Sequence, residues 1–160
     1  MEHTATDKKK NHYLTFVLML AASFIAMYIT MYFNTYAWDH IYFSLTRLYM
    51  TCMGISFMAL IMWFFMRGMY PSKKKNLAIV LGSVALFFTA LALVRAQRPV
   101  VGDVLYMKAM IPHHSIAILT SERADIKDPE VRKLADGIIE AQKKEIAEMK
   151  KYIKRLEAEK

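Results

Sequence analysis

Cysteine is almost missing from this chain of 160 residues: Cys52 stands alone. It lies inside an apolar run, so no intrachain disulfide is available and cysteine usage says nothing about redox compartment. A lone thiol there reads as a small apolar filler. Acidic residues are also scarce through most of the chain. Residues 1–102 hold three Asp/Glu against ten Lys/Arg, whereas residues 103–160 hold eleven against twelve. The formal net charge of +8 therefore sits in short segments beside apolar runs, where the orientation bias of membrane helices accounts for it. A nucleic-acid footprint would need that excess on the water-exposed part, which is nearly neutral, so nucleic acid is excluded as a partner.

The apolar runs are the dominant feature. Hydrophobic residues make up 56% of the chain, and nearly all the excess lies before Arg95. Three uncharged runs, 13–33, 48–66 and 77–94, are each long enough to cross a bilayer core of about 30 Å at about 1.5 Å per residue. The first is too long for a signal-peptide core and is followed by no small-residue cleavage site. The lipid bilayer is thus the first expected partner. Residues 1–12 with Lys8, Lys9 and Lys10 form a basic tail, Arg67 to Asn76 a basic second loop, and Arg47 is the single cation of the first loop. Lys/Arg-rich loops stay cytoplasmic. The expectation is a multi-pass protein of the inner (plasma) membrane, with its N-terminus cytoplasmic and the domain 103–160 extracytoplasmic or periplasmic.

The loop from Asn34 to Arg47 is rich in Tyr, Trp and Phe, which favour the membrane interface. Asp39 and His40 in it are expected to be solvated, like most loop polar groups; the alternative is that they face the C-terminal domain. Met58, Met62 and Met66 fall at helical spacing in the second span. Thioethers can pass soft metal ions, but nothing polar accompanies these three, and intramembrane pathways carry polar groups. They read as packing.

Beyond Pro99 and Gly102 the pattern changes. A helix is expected over Asp103–Arg123, interrupted by Pro112, then a turn over Ala124–Asp128. Asp128-Pro129 supplies an N-cap and a first-turn proline for a second helix running to about Leu156. Val131, Ala135, Ile138, Gln142, Glu145, Met149, Tyr152 and Leu156 form a heptad-type seam, widened by Ile139, Ile146 and Ile153. Glu145 in such a seam is costly unless paired or metal-bound. On the first helix Met107, Met110 and His114 share a face, with His113 beside them. Folding the hairpin about residue 126 sets Met107 near Glu145, Met110 near Gln142 and His114 near Ile138. Convergent His, Met and carboxylate groups are the usual mark of a metal site; core methionines, a structural His pair and a Glu145–lysine pair are the alternatives.

Met110-Ile111-Pro112-His113-His114, then Asp128-Pro129, then the stretch from Gln142 to Met149 resemble the signature of the domain of unknown function 305 family, over roughly 103–153. With three spans ahead of it, the chain resembles the membrane-anchored branch. The resemblance implies a ferritin-like helical bundle and, from soluble periplasmic relatives that bind copper or silver through His and Met, the ligands Met110, His113, His114 and Met149, with Met107 and Glu145 as further candidates. One hairpin is half of a four-helix bundle, so the other half comes from a second copy, giving a homo-oligomer, a dimer, or the hairpin packs on the spans.

The expected fold class is all-α. The expected function is a membrane-anchored binding protein, rather than an enzyme, for soft metal ions, Cu(I) or Ag(I), in metal homeostasis or tolerance. A structural or regulatory membrane subunit without a ligand is the alternative. A di-iron enzyme of the carboxylate type needs Glu-x-x-His pairs, and no Glu-x-x-His occurs in the chain. A haem held by His and Met is a further reading that an absorption spectrum decides.

Overall fold

The computed structural model of the protein describes residues 12–98 and 100–159. The expected basic tail with Lys8–Lys10, and Pro99, lie outside the described residues. Five α-helices carry the fold: α1 His12–Thr30, α2 Leu45–Met66, α3 Lys73–Ala96, α4 Asp103–Arg123 and α5 Pro129–Ala158. Among the described residues there is no strand.

The first three helices are long and apolar enough to cross a membrane. Small residues set how closely they pack. Thr51, Ser56 and Ala59 on α2 and Ser83 and Ala90 on α3 are buried, while Phe57, Phe65 and Phe88 are exposed. Large apolar groups thus point outward from the bundle, and small ones let backbones approach, the pattern that helices packing within lipid would have. Two of the buried hydroxyls on α2 bond carbonyls of their own helix. Thr51 Oγ1 donates to the Arg47 carbonyl at 2.9 Å and Ser56 Oγ to the Met53 carbonyl at 2.6 Å.

At one end of this bundle, Phe16, Ala59 and Tyr70 form a small core, with Met62 and Met66 packed against it. Two of the three ladder methionines are therefore packing groups. Tyr13 ties α1 to the start of α3: its hydroxyl donates to Asn76 Oδ1 at 3.0 Å and accepts the Ser72 amide at 3.0 Å.

The C-terminal helices form an antiparallel hairpin. Its start signal is as expected, with Asp128 Oδ1 accepting the amides of Glu130 at 2.8 Å and Val131 at 3.0 Å. Pro112 is buried within α4, which continues through it. The hairpin core consists of Met107, Ile111, Ile118, Ile146 and Ile153, with Ile139, Met149 and Leu156 packed against it. This corrects the expected seam. Ile146 and Ile153, read as its margin, lie at its centre, whereas Val131, Tyr152 and Glu145 are exposed; Ala135, Met149 and Leu156 keep the inward place expected of them. β-branched isoleucines bury the most apolar area on this face, and the helix rotates to place them against α4, carrying Glu145 out to the rim.

Ile111 and Ile118 have no exposed surface. Ile118→Ala is expected to destabilise the hairpin by about 2–5 kcal/mol, read as a lower denaturation midpoint in mild detergent. Phe65→Ala, on the exposed face of α2, is the control and leaves that midpoint in place. Equal midpoints for the two variants would show that this core does not hold the hairpin together.

Candidate functional site

The helical period sorts the candidate residues before any contact is considered. At about 100° per residue, Ser115 and Glu122 of α4 lie on one flank of its buried face, and Met110 and His114 on the other. On α5, Lys143 and Lys150 lie on the first flank, and Glu145 and Met149 on the second. The hairpin thus has two chemically distinct sides.

The second flank holds most of the expected metal residues. His114 Nδ1 lies 2.9 Å from a Glu145 carboxylate oxygen. This nitrogen is buried, yet no well-aligned hydrogen bond satisfies it, because the carboxylate sits off the line of a ring N–H. The two observations agree on proximity and differ on alignment; a close but poorly directed contact satisfies both. Met149 is half-buried and packs against the hairpin core, of which Met107 is a fully integrated member. Met110 is half-buried, and His113 is exposed with its ring centroid 6.2 Å from that of His114. The structure thus brings His114 to Glu145 and places Met107 and Met149 in one cluster, with His113 on the outside.

The expected pairing of Met107 with Glu145 and His114 with Ile138 is corrected. His114 meets Glu145, while Ile138 shares a shallow depression with Thr120 and Ser121. Side chains on both helices lean toward their own N-termini. In an antiparallel pair that moves the partner of an α4 residue further along α5 than its backbone level. This lean accounts for part of the difference; from Ile138 to Glu145 the partner of His114 lies about two helical turns further along α5 than counting about the turn gives. Among the described residues, no group of three or more His, Cys, Asp or Glu side chains is placed to hold a metal ion; any soft-metal set here depends on thioethers.

On the first flank the alternative reading of Asp39 and His40, that they face the C-terminal domain, is the one the structure shows. The loop between α1 and α2 lies across it. His40, in a short 3-10 turn at Trp38–His40, is buried, and its Nδ1 is 2.9 Å from Ser115 Oγ. Ser115 has no exposed surface and also accepts the Tyr36 amide at 2.7 Å. Asp39 pairs with Lys150 of α5, which holds its carboxyl below the usual range. Lys143 stands 5.6 Å over the Tyr36 ring while bonding Glu122 at 3.1 Å. That ion pair lowers the Glu122 carboxyl and raises the Lys143 amine. Asp39 remains 71% exposed along its side chain. The expectation of a solvated Asp39–His40 pair thus fails for His40, which has turned toward the C-terminal domain. The available signal was spacing: Ser115 and Glu122, and Lys143 and Lys150, are each seven apart, opposite an acid–imidazole pair in an aromatic loop.

Arg47 completes the junction. Its guanidinium donates to the Met31 carbonyl at the end of α1 and, at 3.4 Å, to the Pro112 carbonyl of α4. It also lies 4.3 Å from the Tyr32 ring centroid. A cation without a carboxylate is thus held by one carbonyl left free at a helix C-terminus, a second carbonyl and an aromatic face. Beside it, a cleft of about 700 Å³ is lined by Tyr28, Tyr32, Trp38 and Phe43 among others; none of the candidate metal residues lines it.

The family model described as "Domain of unknown function (DUF305)" matches residues 89–160. An uncharacterized protein of Acanthamoeba polyphaga mimivirus is 32% identical over 136 residues, covering 83% of this chain and 87% of the viral one. The chain belongs to the domain of unknown function 305 family. No solved structure matches. The viral likeness is longer than the stretch that the DUF305 model covers, so it takes in part of the apolar helices as well as the hairpin.

Proposed function

We propose that the hairpin binds a soft monovalent metal ion, Cu(I) or Ag(I), on the flank carrying His114, and that the protein serves metal homeostasis or tolerance from within a membrane. The observation that carries this reading is His114 Nδ1, buried with no well-aligned partner. It shares a flank with the thioethers of Met110 and Met149. Thioether with imidazole is a soft donor set that suits Cu(I) over Zn(II), and no thiolate is present on the hairpin. His114, Met110 and Met149 are the central candidates. Glu145, whose carboxylate lies 2.9 Å from His114 Nδ1, is a further candidate ligand. Met107, within the apolar core, and His113, on the outer surface, are the outlying members.

The same reading places the hairpin outside the cytoplasm, on the strength of the Lys/Arg asymmetry between loops, and completes a ferritin-like four-helix bundle by pairing two hairpins. Support for pairing lies on α5, where Val131 is 50% and Leu134 65% exposed, on a face that α4 does not cover. A helix with apolar residues beyond its one partner's reach is completed by another layer.

A competition titration of the purified full-length chain with a chromophoric Cu(I) chelator tests the metal. The joint His113→Ala, His114→Ala variant is expected to lose most Cu(I) affinity, at least about tenfold, worth about 1.4 kcal/mol. Met110→Leu with Met149→Leu weakens Cu(I) and spares any zinc binding, since only sulfur is deleted. Unchanged affinity in the double histidine variant returns the pair to a structural role and favours a subunit without a ligand. For topology, a reporter enzyme active only in the cytoplasm, fused after Lys160, stays silent; activity overturns the assignment. For assembly, light scattering in mild detergent gives the mass of a dimer, and Leu134→Glu lowers it to a monomer. A parent already monomeric leaves the hairpin paired with the membrane part alone.

A further inference from the structure

We propose that the His40–Ser115 contact is a proton-sensitive latch that fastens the α1–α2 loop to the C-terminal hairpin. The argument begins with hydrogen-bond accounting at Ser115. Its side chain has no exposed surface, so water cannot satisfy it. Its oxygen accepts the Tyr36 amide at 2.7 Å, and its one proton has to be donated. The acceptor in reach is His40 Nδ1 at 2.9 Å. A hydroxyl holds one donor proton. Nδ1 must therefore be unprotonated, and the neutral ring carries its proton on Nε2. That edge faces Asp39, whose carboxylate oxygen is 3.9 Å away.

Protonating His40 reverses the bond. Nδ1–H then needs Ser115 Oγ as an acceptor, and the hydroxyl proton is left buried without a partner, at a cost comparable to a lost hydrogen bond. The charged groups around the ring weigh in the same direction. On α5, Lys150 opposes a second positive charge. On the ring's own turn, Asp39 favours one, but that carboxylate is already engaged by Lys150. From α4 the group in contact is the uncharged Ser115, and the Lys143–Glu122 pair beyond Tyr36 is internally balanced. Burial, followed by Lys150, depresses the imidazole below its ordinary value, with Asp39 pulling weakly the other way.

The linkage follows from that direction. A base depressed in the docked state favours docking fully above its ordinary value. The advantage is lost as pH falls below that value, until the docked ring itself takes up the proton. Acidification releases the loop, and with it Tyr36 and the Asp39–Lys150 pair. This holds whether or not the opposite flank takes a metal.

The test uses the full-length chain in lipid nanodiscs. Amide exchange of Tyr36, corrected for intrinsic rate, is followed from about pH 8 to about pH 5, alongside the ¹⁵N signals of the His40 ring. At the upper end Nδ1 is expected to be unprotonated. On acidification, Tyr36 protection falls about tenfold or more, with a midpoint matching the ring's protonation. His40→Asn, whose carbonyl can accept from Ser115 but cannot titrate, keeps Tyr36 protected throughout. Ser115→Ala loses protection at every pH. The latch is overturned if the parent's protection is flat, if Nδ1 carries the proton at the upper end, if the two midpoints differ, or if His40→Asn responds to pH as the parent does.

Discussion

One buried hydroxyl decides how the two halves of this molecule meet. Ser115 can neither reach water nor go unpaired, because an unsatisfied buried polar group costs as much as many apolar contacts contribute. Its two partners, the Tyr36 amide and the His40 ring, both come from the loop that joins the first two spans. Satisfying them fixes where that loop lies on the hairpin. The rest of the junction follows in register. With Ser115 seated, Asp39 falls opposite Lys150 and the Tyr36 ring beneath Lys143. These ion pairs and ring contacts are exposed and individually weak. They refine an arrangement that the buried group has already set.

The two halves differ in the chemistry of their surfaces, and the residues at their border show it. In the apolar helices, hydroxyls turn back on their own helix, as Thr51 and Ser56 do, the arrangement that a surrounding without hydrogen-bond partners would require. In the hairpin, charged residues crowd the outer faces and isoleucines fill the interior. Arg47 belongs to neither pattern. It begins a span yet bonds carbonyls of α1 and α4. A guanidinium suits this place because its fork of donors can serve two carbonyls at once and its face can stack on Tyr32. A lysine would satisfy one of these and leave the others bare.

The parts of the fold legible in the sequence were those governed by short-range rules. Charge-free runs of about 18 residues or more allow little but a long apolar helix, and Asp128-Pro129 states a helix start in two residues. Other features depended on partners far along the chain. Choosing between Glu145 and Ile146 for the inner position is a choice of helix rotation by about 100°, which periodicity alone leaves open when both stripes carry apolar residues. The partner of His114 required the lean of side chains as well as the level of the backbone. Ser115 was silent, because a serine beside two histidines looks like any polar helix residue until the Tyr36 amide arrives from 79 positions away. The same distance hid the burial of His40.

His114 and Ser115 are neighbours in sequence, yet they face environments that share almost nothing. A step of about 100° around α4 carries the chain from a flank of thioethers and a carboxylate to one of lysines and a docked loop. Between the flanks run Ile111, Ile118, Ile146 and Ile153, all buried. A close-packed core of this kind does not deform gradually, so a group gained on one flank cannot displace the other by small degrees. A ligand on the His114 flank influences the loop only if it binds the docked and undocked forms with different affinity. That difference would have to arise where the loop itself reaches past the helix edge, at Arg47 and the carbonyl of Pro112, two residues before His114. Apart from that bridge, the two faces of the hairpin are chemically independent surfaces built on one pair of helices.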